Sequence, residues 1–156
     1  MSAILKDPLV AMRHMKVEDL DEVFINELAA YSHPWTMTIL QDCLKAGYHC
    51  QVAEFDGETV GHAVMSSAVG EAHLLNICIA PQWQGRGLGR RLLSRMLRIA
   101  HEKNVDTVFL EVRESNLPAQ LLYQSEGFCE IGLRRSYYPC ERKGRENAVV
   151  YAKPLV

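Results

Sequence analysis

A chain of 156 residues with 48% apolar and 23% charged side chains has the size and composition of one globular domain over residues 1–156, enough to bury about two-thirds of its unfolded surface. No apolar run approaches the ~20 residues of a membrane helix, Met1-Ser2-Ala3-Ile4 does not open a signal-peptide core, and five cysteines without a C-x-x-C pair exclude a disulfide framework and structural zinc. A cytoplasmic protein with no membrane partner and no metal is therefore expected. The net charge of −2 hides an asymmetry, because residues 1–80 hold eleven acidic and four basic residues and residues 81–156 hold eight and thirteen. The acidic half is dense at Glu18-Asp19-Leu20-Asp21-Glu22, which either attracts a cationic protein substrate or complements the dipole of a helix start.

Leu9 to Arg13 is predicted as a first strand, and Glu18 to Tyr31 as a helix with Leu20, Val23, Phe24 and Leu28 inward. Thr36 is placed to cap a short helix that runs through Leu44 and ends at Gly47. His49 to Phe55 and Thr59 to Ser67 read as a hairpin around Asp56-Gly57. Leu74 to Ala80 is too apolar and β-branched for a loop and forms a fourth strand. Past a glycine-rich stretch, Leu88, Leu92, Leu93, Met96, Leu97 and Ala100 mark one face of a helix. Its Arg91, Arg95 and Arg98 stripe lacks interleaved aromatics and reads as a solvated face, so no nucleic-acid partner is expected. Thr107 to Arg113 alternates as a strand, and Asn116 caps a helix with Pro118 in its first turn and Gly127 at its end. Strands at Cys129 to Arg135 and Ala148 to Ala152 follow, joined by a polar loop with Lys143-Gly144-Arg145. The fold class is α/β (α+β), a mixed sheet of about seven strands with about four helices on both faces. Cys43 and Cys78 sit in apolar patterns as buried small hydrophobes.

The stretch Gln84-Gly85-Arg86-Gly87-Leu88-Gly89-Arg90 lies between a strand and a helix. A glycine-rich turn at a helix start aims several unpaired N–H groups at one point, which the helix dipole makes favourable for an anion. Arg86 and Arg90 add formal charge to this phosphate cradle. Arg90 stands where a Rossmann fingerprint needs its third glycine, and no G-K-[ST] follows for a Walker loop.

The order Gln84-x-x-Gly87-x-Gly89 is instead the Q/R-x-x-G-x-G/A pyrophosphate loop of the GCN5-related N-acetyltransferase family, which the chain resembles. Further matches run through residues 8–155: His33-Pro34-Trp35-Thr36, Leu110-Glu111-Val112-Arg113, Asn116, Leu122-Tyr123, Gly127-Phe128 and Arg134-Arg135-Ser136-Tyr137-Tyr138-Pro139. They are most similar to the branch that acetylates the N-terminal alanine of a small-subunit ribosomal protein. The resemblance implies acetyl-CoA as co-substrate, direct transfer in a ternary complex and no metal. A monomer is expected. Acetylation of a small amine and a non-catalytic acetyl-CoA-binding module remain as alternatives.

Several residue roles follow from the resemblance. The loop Gln84, Gly85, Arg86, Gly87, Leu88, Gly89 and Arg90 takes the pyrophosphate. The backbone of Ile77, Cys78 and Ile79 takes the pantetheine arm in a splay between two parallel strands, and Asn116 also touches that arm. Glu111 is the general base, acting through water, and it shares a strand face with Phe109; the plainer reading is a solvated carboxylate or a partner of Arg113. Tyr123 is the general acid or, alternatively, a core aromatic with a wet tip. Trp35 and the Tyr137-Tyr138 pair, expected in loops, flank the acceptor peptide or plug the core. Asn147 and Tyr151 depart from the family pattern near the last strand. Cys78 lies near the expected thioester, but no histidine is identifiable to activate it as a nucleophile, so direct transfer is favoured.

Overall fold

The computed structural model describes residues 9–140 and 144–155; Met1-Ser2-Ala3-Ile4 and Lys143 lie outside the described residues. Seven strands form one mixed sheet: β1 (Ala11–His14), β2 (His49–Phe55), β3 (Glu58–Ala68), β4 (Glu71–Ile79), β5 (Thr107–Arg113), β6 (Cys129–Pro139) and β7 (Arg145–Pro154), in the spatial order β1-β2-β3-β4-β5-β7-β6. Four α-helices, α1 (Leu20–Ala30), α2 (Met37–Lys45), α3 (Leu88–Glu102) and α4 (Leu117–Ser125), cover its two faces. None is long and apolar enough to cross a membrane.

Each face has its own core. Leu92, Leu93 and Met96 of α3 and Tyr123 of α4 pack on Ala63, Met65, Leu74, Leu110 and Tyr151 from one side of the sheet. Leu20 and Val23 of α1 and Leu40 and Cys43 of α2 pack on Val52 and Val64 from the other, with Trp35 against them. The caps are local. Thr36 Oγ1 accepts the Ile39 N–H at 3.2 Å and Asn116 Oδ1 the Ala119 N–H at 3.2 Å, each satisfying an otherwise orphaned donor.

Four features differ from expectation. Leu28 is exposed, because Leu20, Val23, Asn26 and Glu27 take the inward face of α1 and Leu28 lies off it. β4 starts at Glu71, after a tight turn in which Val69 and Gly70 have φ of 50° and 81°; a valine in the left-handed region is rare enough to hide the turn. β6 and β7 run longer than their apolar cores, so Tyr137 and Tyr138 lie on a strand and Arg145 opens β7. The arginine stripe of α3 is partly tied to the sheet edge, Arg91 donating to the Val10 carbonyl and Arg95 to Gln51 Oε1, both at 3.1 Å.

Candidate active site

The sheet opens at its centre. β4 and β5 are parallel neighbours only from Glu71↔Thr107 to Leu74↔Leu110. At that point the β3–β4 register slips, with Val64 opposite Asn76 but Met65 opposite Leu74, which leaves Leu75 as an extra residue. A bulge bends its strand, so Asn76–Ile79 leans away from β5 and a wedge opens. Ala80 N–H donates to Val60 O at 2.9 Å, and bonded pairs alternate along an antiparallel ladder. Cys78 opposite His62 is therefore bonded into β3. Of the three residues expected to take the pantetheine arm, Ile77 and Ile79 turn their backbone groups away from β3, whereas those of Cys78 are engaged by β3. Tyr31 Oη donates to the Ile77 carbonyl, and Gln84 Nε2 to the Ile79 carbonyl at 3.0 Å. The N–H groups of these two isoleucines point to the same side and line the β4 side of the wedge.

The start of α3 lies at the end of this wedge. Gly85 and Gly87 have φ of 78° and 81° with open space where a Cβ would stand, so conformation rather than crowding demands glycine. Gly87 is the N-cap residue, and no side chain among the described residues caps the helix, whose first amides lack intrahelical partners. Leu88 buries its side chain beside Val10, Ala53 and Val60, and can offer only its backbone here. Arg86 lies over the Trp83 ring at 4.6 Å. Arg90 departs from expectation: it bonds Ser125 Oγ at 2.9 Å and pairs with Glu126, so its charge is partnered at the end of α4. Amides and dipole, with Arg86, fit a diphosphate.

Glu111 and Tyr123 lie on opposite faces of the sheet near its opening. Glu111 is half-buried, and its close partner is the Nε of Arg134 rather than Arg113, without the alignment of a hydrogen bond. Arg113 instead pairs with Glu146 at 3.0 Å and lies over Tyr138. Tyr123 is buried against Phe128 and Tyr151, with ring centroids 5.8 and 6.4 Å apart. Burial, with Tyr138 nearby, holds its phenol far above the ordinary tyrosine range. Tyr138 is itself pushed up to about 12, by burial and then by the Glu111 charge. Burial thus favours the neutral phenol of Tyr123 over its phenolate.

Residues 11–128 match the Acetyltransferase (GNAT) family. The chain belongs to that family. It is 38% identical to the [ribosomal protein bS18]-alanine N-acetyltransferase of Haemophilus influenzae over 86% of this chain and 91% of the relative. With the Escherichia coli K12 protein of the same name it shares 34% over 90% and 95%. The crystal structure of the ribosomal-protein-S18-alanine N-acetyltransferase from Escherichia coli superimposes with a TM-score of 0.88 at 33% identity, covering 93% of both chains. A GNAT family acetyltransferase from Elizabethkingia anophelis with acetyl-CoA bound shares the fold, with a TM-score of 0.78 at 17% identity over 96% of this chain and 100% of that one. The protein is an acyltransferase, and acetyltransferases of this family draw on acetyl-CoA.

Trp35, expected to flank the acceptor, packs on the α1–α2 core with its backbone N–H on Glu27 Oε2 at 3.0 Å. Tyr137 and Tyr138 meet edge-on at 4.9 Å, and Arg134 lies 5.3 Å over Tyr137. Asn147 Oδ1 accepts the Ser136 N–H at 2.9 Å, holding a residue at φ 52° where β6 bulges. Tyr151 is fully buried, with its hydroxyl between Gln120 and Gln124 at 3.0 Å each. The alternative nucleophile also changes: His62 does stand opposite Cys78, unlike the expectation from sequence. The thiol nonetheless faces the Asn26 carbonyl at 3.7 Å, and burial, then the Glu27 charge, raises it far out of the thiolate range. Sequence reasoning missed Tyr31, Glu27, His62 and Asn76; the last three give only the signal of polarity at inward-facing positions, and Tyr31 is an exposed residue just past α1.

Proposed function

We propose that this acetyltransferase moves the acetyl group of acetyl-CoA onto the N-terminal alanine of a small-subunit ribosomal protein, in the cytoplasm, by direct transfer in a ternary complex. The observation that carries the chemistry is the opening in the sheet, where β4 and β5 part between an uncapped helix start, a half-buried carboxylate and a protonated phenol. The alanine acceptor is supported by relatives at 34–38% identity that span nearly the whole chain.

In this reading the amides from Gln84 to Arg90 hold the diphosphate, the N–H groups of Ile77 and Ile79 meet the pantetheine arm, and Asn116 supports it from the start of α4. Acetyl-CoA supplies an activated thioester carbonyl. An α-ammonium with a pKa near ~8 must shed a proton before its nitrogen attacks, and Glu111 receives that proton through water. The nitrogen bonds to the carbonyl carbon and an N–H of the wedge supports the oxyanion; the C–S bond breaks as Tyr123 hands its proton to the sulfur, while the nitrogen sheds its second proton through water, which restores the phenol. Trp35, Tyr137 and Tyr138 flank the acceptor.

Mass spectrometry of ribosomal proteins from cells with and without the chain tests the acceptor. One N-terminal alanine losing its acetyl group supports the reading; an unchanged set refutes it. Initial-rate lines that intersect support direct transfer, whereas parallel lines with an acetyl-enzyme burst oppose it.

A further inference from the structure

Behind the acceptor side lies a buried polar cluster that the transfer chemistry does not use. Glu27, in the last turn of α1, is 2% exposed. Its carboxylate accepts from three separate elements: the Trp35 N–H at 3.0 Å from the α1–α2 connection, His62 Nε2 at 2.9 Å from β3, and Asn76 Nδ2 at 3.0 Å from β4. One turn further on, Tyr31 donates to the Ile77 carbonyl at the wedge. His62 is fully buried, and its Nδ1 has no hydrogen-bond partner among the described residues. Withdrawing a carboxylate from water and leaving an imidazole nitrogen unpaired both oppose folding, and apolar side chains of similar volume would pack there at less cost. Stability alone therefore does not explain the cluster.

Its composition also resembles a cation site, since ligand atoms of Glu27, His62 and Cys78 lie within 4.8 Å of one another. Both carboxylate oxygens already accept N–H bonds, however, and the thiol faces the Asn26 carbonyl. The groups are arranged for one another rather than for an ion.

What the cluster joins is informative. It ties the backbone of Trp35, on the acceptor side, to Asn76, which precedes the wedge-lining Ile77. We propose that Glu27 and His62 are positioning residues for acceptor binding, clamping the Trp35 segment to β4 and so fixing the gap between acceptor and thioester. His62 acts through Glu27: its Nε2–H holds the carboxylate in the one orientation that serves both Trp35 and Asn76. The proposal rests on the reading that Trp35 flanks the acceptor.

Steady-state kinetics of the full chain with an alanine-starting peptide and acetyl-CoA tests it. His62→Leu, which keeps bulk and removes the donor, is expected to raise the peptide KM about tenfold with kcat and the acetyl-CoA KM within about threefold. His62→Gln restores an N–H donor and is expected to recover most of that loss. A wild-type peptide KM in His62→Leu, a parallel rise in both KM values, or no rescue by His62→Gln overturns the proposal. Should His62→Leu not fold, Glu27→Gln carries the test: a peptide KM about fivefold or more higher supports it, and an unchanged one contradicts it. Trp35→Ala separates the two layers. If it raises the peptide KM while the Glu27 and His62 variants do not, only the clamp falls; if it leaves the peptide KM unchanged, the acceptor reading beneath it falls.

Discussion

Glu111 and Tyr123 take opposite ends of the proposed proton traffic because their surroundings differ. Glu111 is a half-buried carboxylate beside a mobile-stemmed arginine that is mostly exposed, so it can exchange partners when an ammonium arrives. Tyr123 is sealed among rings and keeps its proton. Glu111→Gln is expected to lower kcat on an alanine-starting peptide by about 10²–10⁴-fold, the usual worth of a general base, with acetyl-CoA affinity unchanged by calorimetry. Near-normal turnover would return Glu111 to the role of a structural partner of Arg134. Tyr123→Phe is expected to lower kcat in the same way while cofactor affinity holds, and an unchanged kcat would leave it a core aromatic. Both candidates could be proposed from the sequence because each sits inside a short motif. Glu27 and His62 could not be, since they meet across 35 positions, and a glutamate on a helix with several acids reads as a solvated face.

At the scale of elements, the start of α3 and the cap of α4 make separate demands. Gly87 holds a left-handed φ at the N-cap, which an L side chain adopts only at a cost of about 1–2 kcal/mol. Gly87→Ala is expected to lower thermal stability by that order and to weaken acetyl-CoA binding, read by a melting curve and a titration on the same sample. A loss of stability without a loss of affinity would separate the loop from the diphosphate. Asn116→Ala removes the side-chain cap at the start of α4, an expected loss of about 1 kcal/mol of unfolding free energy from a denaturant titration. Helix periodicity and caps made the helices readable. Strand ends were less so: the bulge at Leu75 and the Val69-Gly70 turn carry no composition signal, yet the first opens the wedge on which the site depends. The aromatic pair on β6 looked like loop because its strand is almost wholly exposed.

Across the whole molecule, buried and paired carboxylates set the response to acid. Asp19 lies below the ordinary carboxylate range because the Arg13 guanidinium bonds both its oxygens at 2.8 Å. Burial alone would raise Glu27, but the donors from His62, Trp35 and Asn76 together bring it below that range. A carboxylate whose native pKa is depressed contributes stability that is complete above its unfolded value and is lost as pH falls through the native one. Stability from these groups is therefore expected to be level from neutral down to about pH 5 and to fall below about pH 4. Denaturant midpoints across that range check it, and Glu27→Gln is expected to flatten the acid limb. A wild-type midpoint that rises towards low pH would contradict the assignment.

The most direct measurement is to incubate the purified chain with acetyl-CoA and a peptide carrying an N-terminal alanine and an internal lysine, then to locate the added mass by fragmentation. One acetyl group on the α-nitrogen, formed at a rate that Glu111→Gln abolishes, is the expected result. No acetyl group, or acetylation on the lysine side chain alone, would contradict it.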